Sequence, residues 1–179
     1  MSVQDALRQQ LFAGGDLHTY AIVDGASVDN LLPTLAATAL PEQVCLYRGE
    51  LDAELLAAAP HLLKLPADHP FTDWLLQGWG RHWGIFLQSR ASLRELRKHF
   101  RTVLIVRDPD NKPLYFRYYD PRVLRVFLPT CNAGELAQVF GPVERYLLED
   151  EDPGRLLVYA RQGAALGTDI VHLALPDPS

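Results

Sequence analysis

Several features are scarce in this chain, and each scarcity excludes something. There are two cysteines, Cys45 and Cys131, far apart and in apolar contexts. Neither has a neighbour at metal or redox spacing, so both are expected to pack as small hydrophobes in a reducing compartment. No apolar run approaches the ~20 residues that a membrane-spanning helix needs. The opening MSVQDALRQQLFAGG lacks the hydrophobic stretch of a signal peptide. A cytoplasmic protein with no membrane span is the expectation. The six histidines show no ligand-type repeat, with His61 and His69 on either side of Pro66, so no metal is expected. No Gly-x-Ser-x-Gly elbow offers a nucleophile to His82. The glycines of Gly78-Trp79-Gly80-Arg81-His82-Trp83-Gly84 lack the Lys-Ser/Thr of a phosphate loop. The sequence therefore points to no catalytic residues and no cofactor. Basic residues are outnumbered, 17 to 22, for a net charge of -5, which argues against nucleic acid as the main partner.

What is present describes an ordinary globular chain. Its 179 residues, 48% apolar and 22% charged, suffice for one domain with a real core. Val3, Ala6, Leu7 and Leu11 mark one face of a first helix, and HTYAIVD (His18 to Asp24) reads as a strand. Ser27 or Asp29 is placed to cap a second helix, and Asp52 a third. HLLKL and WGIFLQ read as strands around a helix carrying Phe71, Trp74, Leu75 and Trp79. Ser92-Leu93-Arg94-Glu95 is a capping box, and Asn132 with Glu135 caps a later helix. Further strands are expected over residues 143–148, 156–160 and 167–175, before a Pro-rich, frayed end. Alternating strands and helices predict an α/β fold, a mixed β-sheet with packed helices, as a single compact domain over residues 1–179.

The stretch RDPDNKPLYFRYYDPRVLRVFLPT (Arg107 to Thr130) is the most informative. Asp108-Pro109-Asp110-Asn111 is turn chemistry, and it joins Val103–Val106 to Leu114–Tyr119 as a β-hairpin. Asp120 then caps a short helix with Pro121 at its first position. These carboxylates are read as turn and cap residues. Candidate partner-binding residues lie on both sides of the hairpin. Trp79, Arg81 and Trp83 are read either as a tight, tryptophan-packed turn or as a contact surface, since Trp and Arg concentrate binding energy at interfaces. Tyr118, Arg122 and Arg125 either pair with acidic groups such as Asp120 or anchor a carboxylate-bearing partner. Charge is segregated: Arg90, Arg94, Arg97, Lys98 and Arg101 in one run, Glu144, Glu149, Asp150, Glu151 and Asp152 in another. These are solvated faces, or a bipolar surface for two partners.

That central stretch, preceded by PFTDWLLQGWGRHWGIFLQSRASLRELRKHFR and joined by YAIVDG and CLYRG, resembles the adaptor-chaperone family encoded beside the spike-protein genes of bacterial type VI secretion systems. The resemblance covers roughly residues 18 to 152, and residues 153–179 diverge. It implies a non-enzymatic cytoplasmic protein that binds a toxic effector and promotes its loading onto the secretion spike. Its partners would be the effector and the spike protein. The residues themselves leave two alternatives: a ligand-sensing regulatory domain, or a hydrolase built around His82 or the Asp108 to Asp120 cluster.

Overall fold

Apolar side chains fill both faces of nearly every central strand, so the sheet needs a helical layer on each side. The computed structural model describes residues 1–173. In chain order the elements are α1 (Val3–Phe12), β1 (His18–Asp24), α2 (Leu31–Thr38), β2 (Gln43–Cys45), α3 (Ala53–Ala58), β3 (Pro60–Lys64), α4 (Pro70–Gln77) and β4 (Gly84–Ser89). They continue with α5 (Leu93–Val103), β5 (Ile105–Arg107), β6 (Pro113–Tyr115), α6 (Pro121–Phe127), α7 (Ala133–Phe140), β7 (Val143–Glu149), β8 (Arg155–Gln162) and β9 (Ala165–His172). Seven strands form one sheet in the order β2-β3-β1-β4-β7-β8-β9, and β5 and β6 pair separately.

Side-chain alternation divides the core in two. Tyr20, Ile22, Leu87, Tyr146 and Leu148 pack with Leu96 and Phe100 of α5, Leu124 of α6 and Leu136 and Phe140 of α7. Ala21, Val23, Phe86, Leu147 and Val158 pack on the other face with Leu7 and Leu11 of α1, Leu31 and Leu35 of α2, and Phe71 and Leu75 of α4. The result is one α/β/α unit, with the expected α/β class and packed helices. The expected mixture of parallel and antiparallel pairs is not what forms: every pairing among the described residues is antiparallel. The reason lies in β1. Strands β3 and β4, joined through α4, do run in the same direction, as a β-α-β unit requires. Strand β1 lies between them and pairs with both, so the parallel relation never becomes a hydrogen-bonded one.

Local signals set most helix starts. The side chains of Ser2, Asp52, Asp120 and Asn132 accept bonds from first-turn amides of α1, α3, α6 and α7. Ser92 caps α5, but the expected return bond from Glu95 does not form, and Glu95 stays in solvent. Neither Ser27 nor Asp29 caps α2; its N-cap is Asn30, in the left-handed region at φ 66°. The last carbonyls of a helix lack intrahelical donors, and buried polar groups supply them here. Thr19 Oγ1 and Gln88 Nε2 donate to Leu11 O at the end of α1, at 2.5 and 2.8 Å. Tyr146 Oη donates to Val139 O of α7 at 2.6 Å.

Strands β8 and β9 extend the main sheet from β7, so residues 155–172 are part of the same unit. The Pro-rich end expected to be frayed lies outside the described residues. Phe100 is fully buried and stacks on Tyr118 with ring centroids 5.5 Å apart. Replacing it with alanine is expected to cost about 3–5 kcal/mol, read as a lowered urea midpoint.

Candidate partner-binding surface

One rim of the sheet gathers groups far apart in sequence. It is formed by the end of β1, the start of β4 and the end of β7. Asp24, at the end of β1, is buried, and its carboxylate accepts from Ala26 N at 3.1 Å and Ser27 Oγ at 2.8 Å, and from the guanidinium of Arg117. At the end of β7, the buried Glu149 carboxylate accepts from the amides of Gly80 at 2.7 Å and His82 at 3.1 Å, with His82 Nδ1 also 3.1 Å away. Burial raises the pKa of Glu149, opposed by those bonds and by His82. Glu149 therefore clamps the turn between α4 and β4, whose His82 backbone is left-handed at φ 60°.

Packing completes that turn. Trp83 lies against Gly78 so closely that a Cβ there would sit 2.1 Å from the indole ring. Trp74 and Trp83 ring centroids are 4.9 Å apart, and Trp79 Nε1 donates to Pro153 O at 2.7 Å. The space beneath, between Trp79, Trp83 and Phe86, is about 10 Å³, the size of one water. Trp79 and Trp83 are half-buried structural anchors. Arg81 is exposed, its guanidinium 5.8 Å from the Trp83 ring centroid.

The second predicted cluster separates. Tyr118 is fully buried, with its hydroxyl donating to Phe100 O at 3.3 Å. It is core, which corrects the expectation that it contacts a partner. Tyr118 and Tyr119 both enter the same face of the core, which strand alternation forbids. The hairpin strands are accordingly shorter than predicted. Arg122 is exposed and pairs with Asp120 through Nε at 3.1 Å and Nη2 at 2.9 Å, the structural alternative weighed for it. Arg125 is half-buried, donating to Glu149 O at 3.2 Å, so it meets the backbone of the residue whose side chain holds the tryptophan turn.

The β5–β6 hairpin stands outside the main sheet. Its loop follows the predicted turn chemistry: Asp108 Oδ1 accepts from Lys112 N at 2.8 Å, and Asn111 takes φ 61°. Its apolar residues face solvent, with Ile105 49%, Leu114 49% and Tyr115 68% exposed. Phe116 roots it, donating its amide to Leu104 O at 2.8 Å and meeting the Phe127 ring at 4.6 Å. An open groove of about 870 Å³ runs from it between α5 and α7, lined by Val103, Val106, Phe116, Phe127 and Val139 among others. Sequence reasoning missed this surface, because β-branched and aromatic runs read as buried strand. It also missed Asp24, Arg117 and Glu149 as partners. For Asp24 and Glu149 the only signal was being acidic at a strand end, and for Arg117 there was none.

Both cysteines are half-buried, and burial raises their thiol pKa values. Among the described residues, no group of three or more His, Cys, Asp or Glu is placed to hold a metal ion. No described helix is long and apolar enough to cross a membrane.

Two carboxylates should respond oppositely to pH. Burial acts to raise the pKa of Asp120, but the side-chain and amide bonds from Arg122 outweigh it and leave the pKa lowered. Its stabilisation is thus present above the unfolded value of about 3.9 and is lost as pH falls through the lower folded value. Asp120→Ala is expected to cost about 0.5–2 kcal/mol at neutral pH, with the difference from wild type vanishing in acid-melt curves. Glu149→Ala leaves two amides without their acceptor and is expected to cost about 1–3 kcal/mol at neutral pH. Because the folded pKa of Glu149 is raised, its titration favours folding most below the unfolded value of about 4.3, where the carboxyl is protonated, and least above the folded value, where the buried charge opposes folding. Urea titrations across pH check both signs.

No curated protein and no solved structure matches the chain. Residues 19–138, from β1 to within α7, match a family model. The match spans about two thirds of the chain and stops short of β7, whereas the resemblance read from the residues ran on to about residue 152. The chain belongs to this family, described as Domain of unknown function (DUF4123).

Proposed function

We propose that this protein is a cytoplasmic adaptor and chaperone that binds a toxic effector and promotes its loading onto a type VI secretion spike. The observation that carries the reading is the β5–β6 hairpin. Ile105, Val106, Leu114 and Tyr115 form an exposed apolar ridge beside an open groove. Large apolar side chains held out on a short, separate ladder suit a surface that becomes buried on association. Burial there is worth roughly 25 cal/mol per Å² of apolar area before the costs of association. The work is physical: holding an aggregation-prone effector segment stabilises the folded or loading-competent effector by mass action. The charged rim with exposed Arg81 and Arg122 is separate from the hairpin in composition and suits a second, more polar contact with the spike protein. The resemblance of the central stretch supports the reading, and the family match, to a domain of unknown function, is consistent with it.

Tagged protein in its native host, with the secretion genes expressed, is expected to capture a large toxin-like protein. The soluble amount of that protein should fall when the adaptor gene is deleted. Val106→Asp with Leu114→Lys, opposite charges at directly paired positions, should lower capture about tenfold, roughly 1.4 kcal/mol, while the melting temperature stays near that of wild type because both positions are exposed. Undiminished capture by this variant would remove the hairpin from the interface. Unchanged effector solubility on deletion would remove the chaperone role.

A further inference from the structure

Helix α5 carries Arg94, Arg97 and Arg101 at i, i+3 and i+7, one face of the helix. That face looks across a trough to β2, the edge strand of the main sheet. Near the start of α5, Arg94 and Arg97 face Gln43 and Val44 across an opening of about 380 Å³. One turn further on, Arg101 and Arg48 border a second opening of about 390 Å³, with Leu46, Leu51 and Leu104 lining it and Tyr115 of the hairpin also on its wall. The Arg101 end of the trough has an apolar floor, the Arg94 end is mixed, with Val44 and Leu93 beside Gln43, and arginines border both.

Its charge is unbalanced. None of Arg48, Arg94, Arg97 and Arg101 forms an ion pair with a carboxylate among the described residues. Arg101 instead donates from Nε to Leu46 O at 3.2 Å and from Nη2 to Cys45 O at 3.0 Å. Carbonyl dipoles orient a guanidinium without cancelling its charge. Burial, then Arg97 and Arg48, lower the pKa of Arg101, as expected where like charges converge. The chain as a whole is acidic, at -5, so this is a local reversal of sign. The same bonds occupy the carbonyls of Cys45 and Leu46 at the end of β2.

We infer that this trough receives a segment of the partner protein that combines carboxylates with large apolar side chains. The inference rests on the adaptor reading for its premise that the partner is a protein. Leucine-sized groups would pack over the buried Leu46 and Leu104, displacing water from Leu51, Leu55, Ile105 and Tyr115. Carboxylates would accept from Arg94, Arg97 and Arg48, where an Arg–carboxylate pair is often bidentate. The 11 residues of α5 span about 16 Å, the reach of about five extended residues, so a short linear segment suffices. A polyanion such as RNA would find the basic groups but would leave the apolar floor unmatched.

The test uses the full chain and a fluorescein-labelled peptide of about ten residues with equal Leu and Glu content. The comparisons are a Leu/Lys peptide, a Gly/Glu peptide, an oligouridine of similar length and phosphatidylserine vesicles. In fluorescence anisotropy the Leu/Glu peptide is expected to bind about tenfold more tightly than either other peptide, with affinity falling as salt rises. Arg94→Glu with Arg97→Glu should weaken it by at least about tenfold while circular dichroism and melting temperature are unchanged. Neither arginine has a side-chain hydrogen bond or ion pair among the described residues, so the variant should remain folded. Equal binding of the Leu/Lys peptide, an undiminished Leu/Glu affinity in the double variant, tighter binding of the oligouridine or the vesicles, or binding of none of the probes would each overturn the inference. Effector capture that depends on the hairpin but survives the Arg94→Glu, Arg97→Glu change would overturn the trough assignment and leave the adaptor reading standing. Wild type that binds the Leu/Glu peptide as expected while capturing no effector in the host would do the reverse.

Discussion

Strand β1 is buried from Thr19 to Asp24, and the rest of the molecule follows from having to cover it on every side. Its backbone is satisfied by β3 on one flank and β4 on the other. Its alternate side chains enter two different cores. A strand in that position cannot end in an unpaired charge, because burying a lone carboxylate costs far more than any local contact returns. Asp24 is buried at that end, and the amide of Ala26, the hydroxyl of Ser27 and the guanidinium of Arg117 meet it there. The connection after the hairpin, which carries Arg117, is held to the sheet by that requirement.

The same logic explains the division of labour between the two ends of the structure. At the rim near β4 and β7, polar groups are satisfied internally: Glu149 by two amides, Asp120 by Arg122, Trp79 by Pro153. Three of the aromatic and basic residues with interface-like chemistry, Trp79, Trp83 and Arg125, are in part committed to holding the fold. Along α5, by contrast, arginines lack carboxylate partners among the described residues, and the hairpin leaves large apolar groups in water. Interaction capacity left unused by the fold is what a binding protein offers a partner, and it is concentrated around α5 and the hairpin.

Much of the architecture was legible in the residues. Strand β1 has the bounds read from HTYAIVD, and the caps at Asp52, Asp120 and Asn132 form as their spacing implied. These are local effects, decided within a turn or two of chain. The sheet was only partly legible. A β-α-β pattern does place β3 and β4 in the same direction, but nothing local announces that β1 will be inserted between them. The hairpin misled for a related reason. Val103, Ile105, Val106 and the aromatic run after Leu114 carry strand-like propensity, and propensity does not say which strand finds a sheet to bury it.

By itself the sequence determined an α/β chain with its elements in the right order, most of its helix caps and its charges segregated, because periodicity, capping and turn chemistry act between near neighbours. Tertiary structure alone decided that Tyr118 is core, that Glu149 closes the tryptophan turn and that Arg94, Arg97 and Arg101 share a trough with an apolar floor. Those outcomes depend on pairings between residues tens of positions apart, and burial, which sets whether an aromatic or an arginine stabilises the fold or remains free for a partner, is a property of the assembled layers.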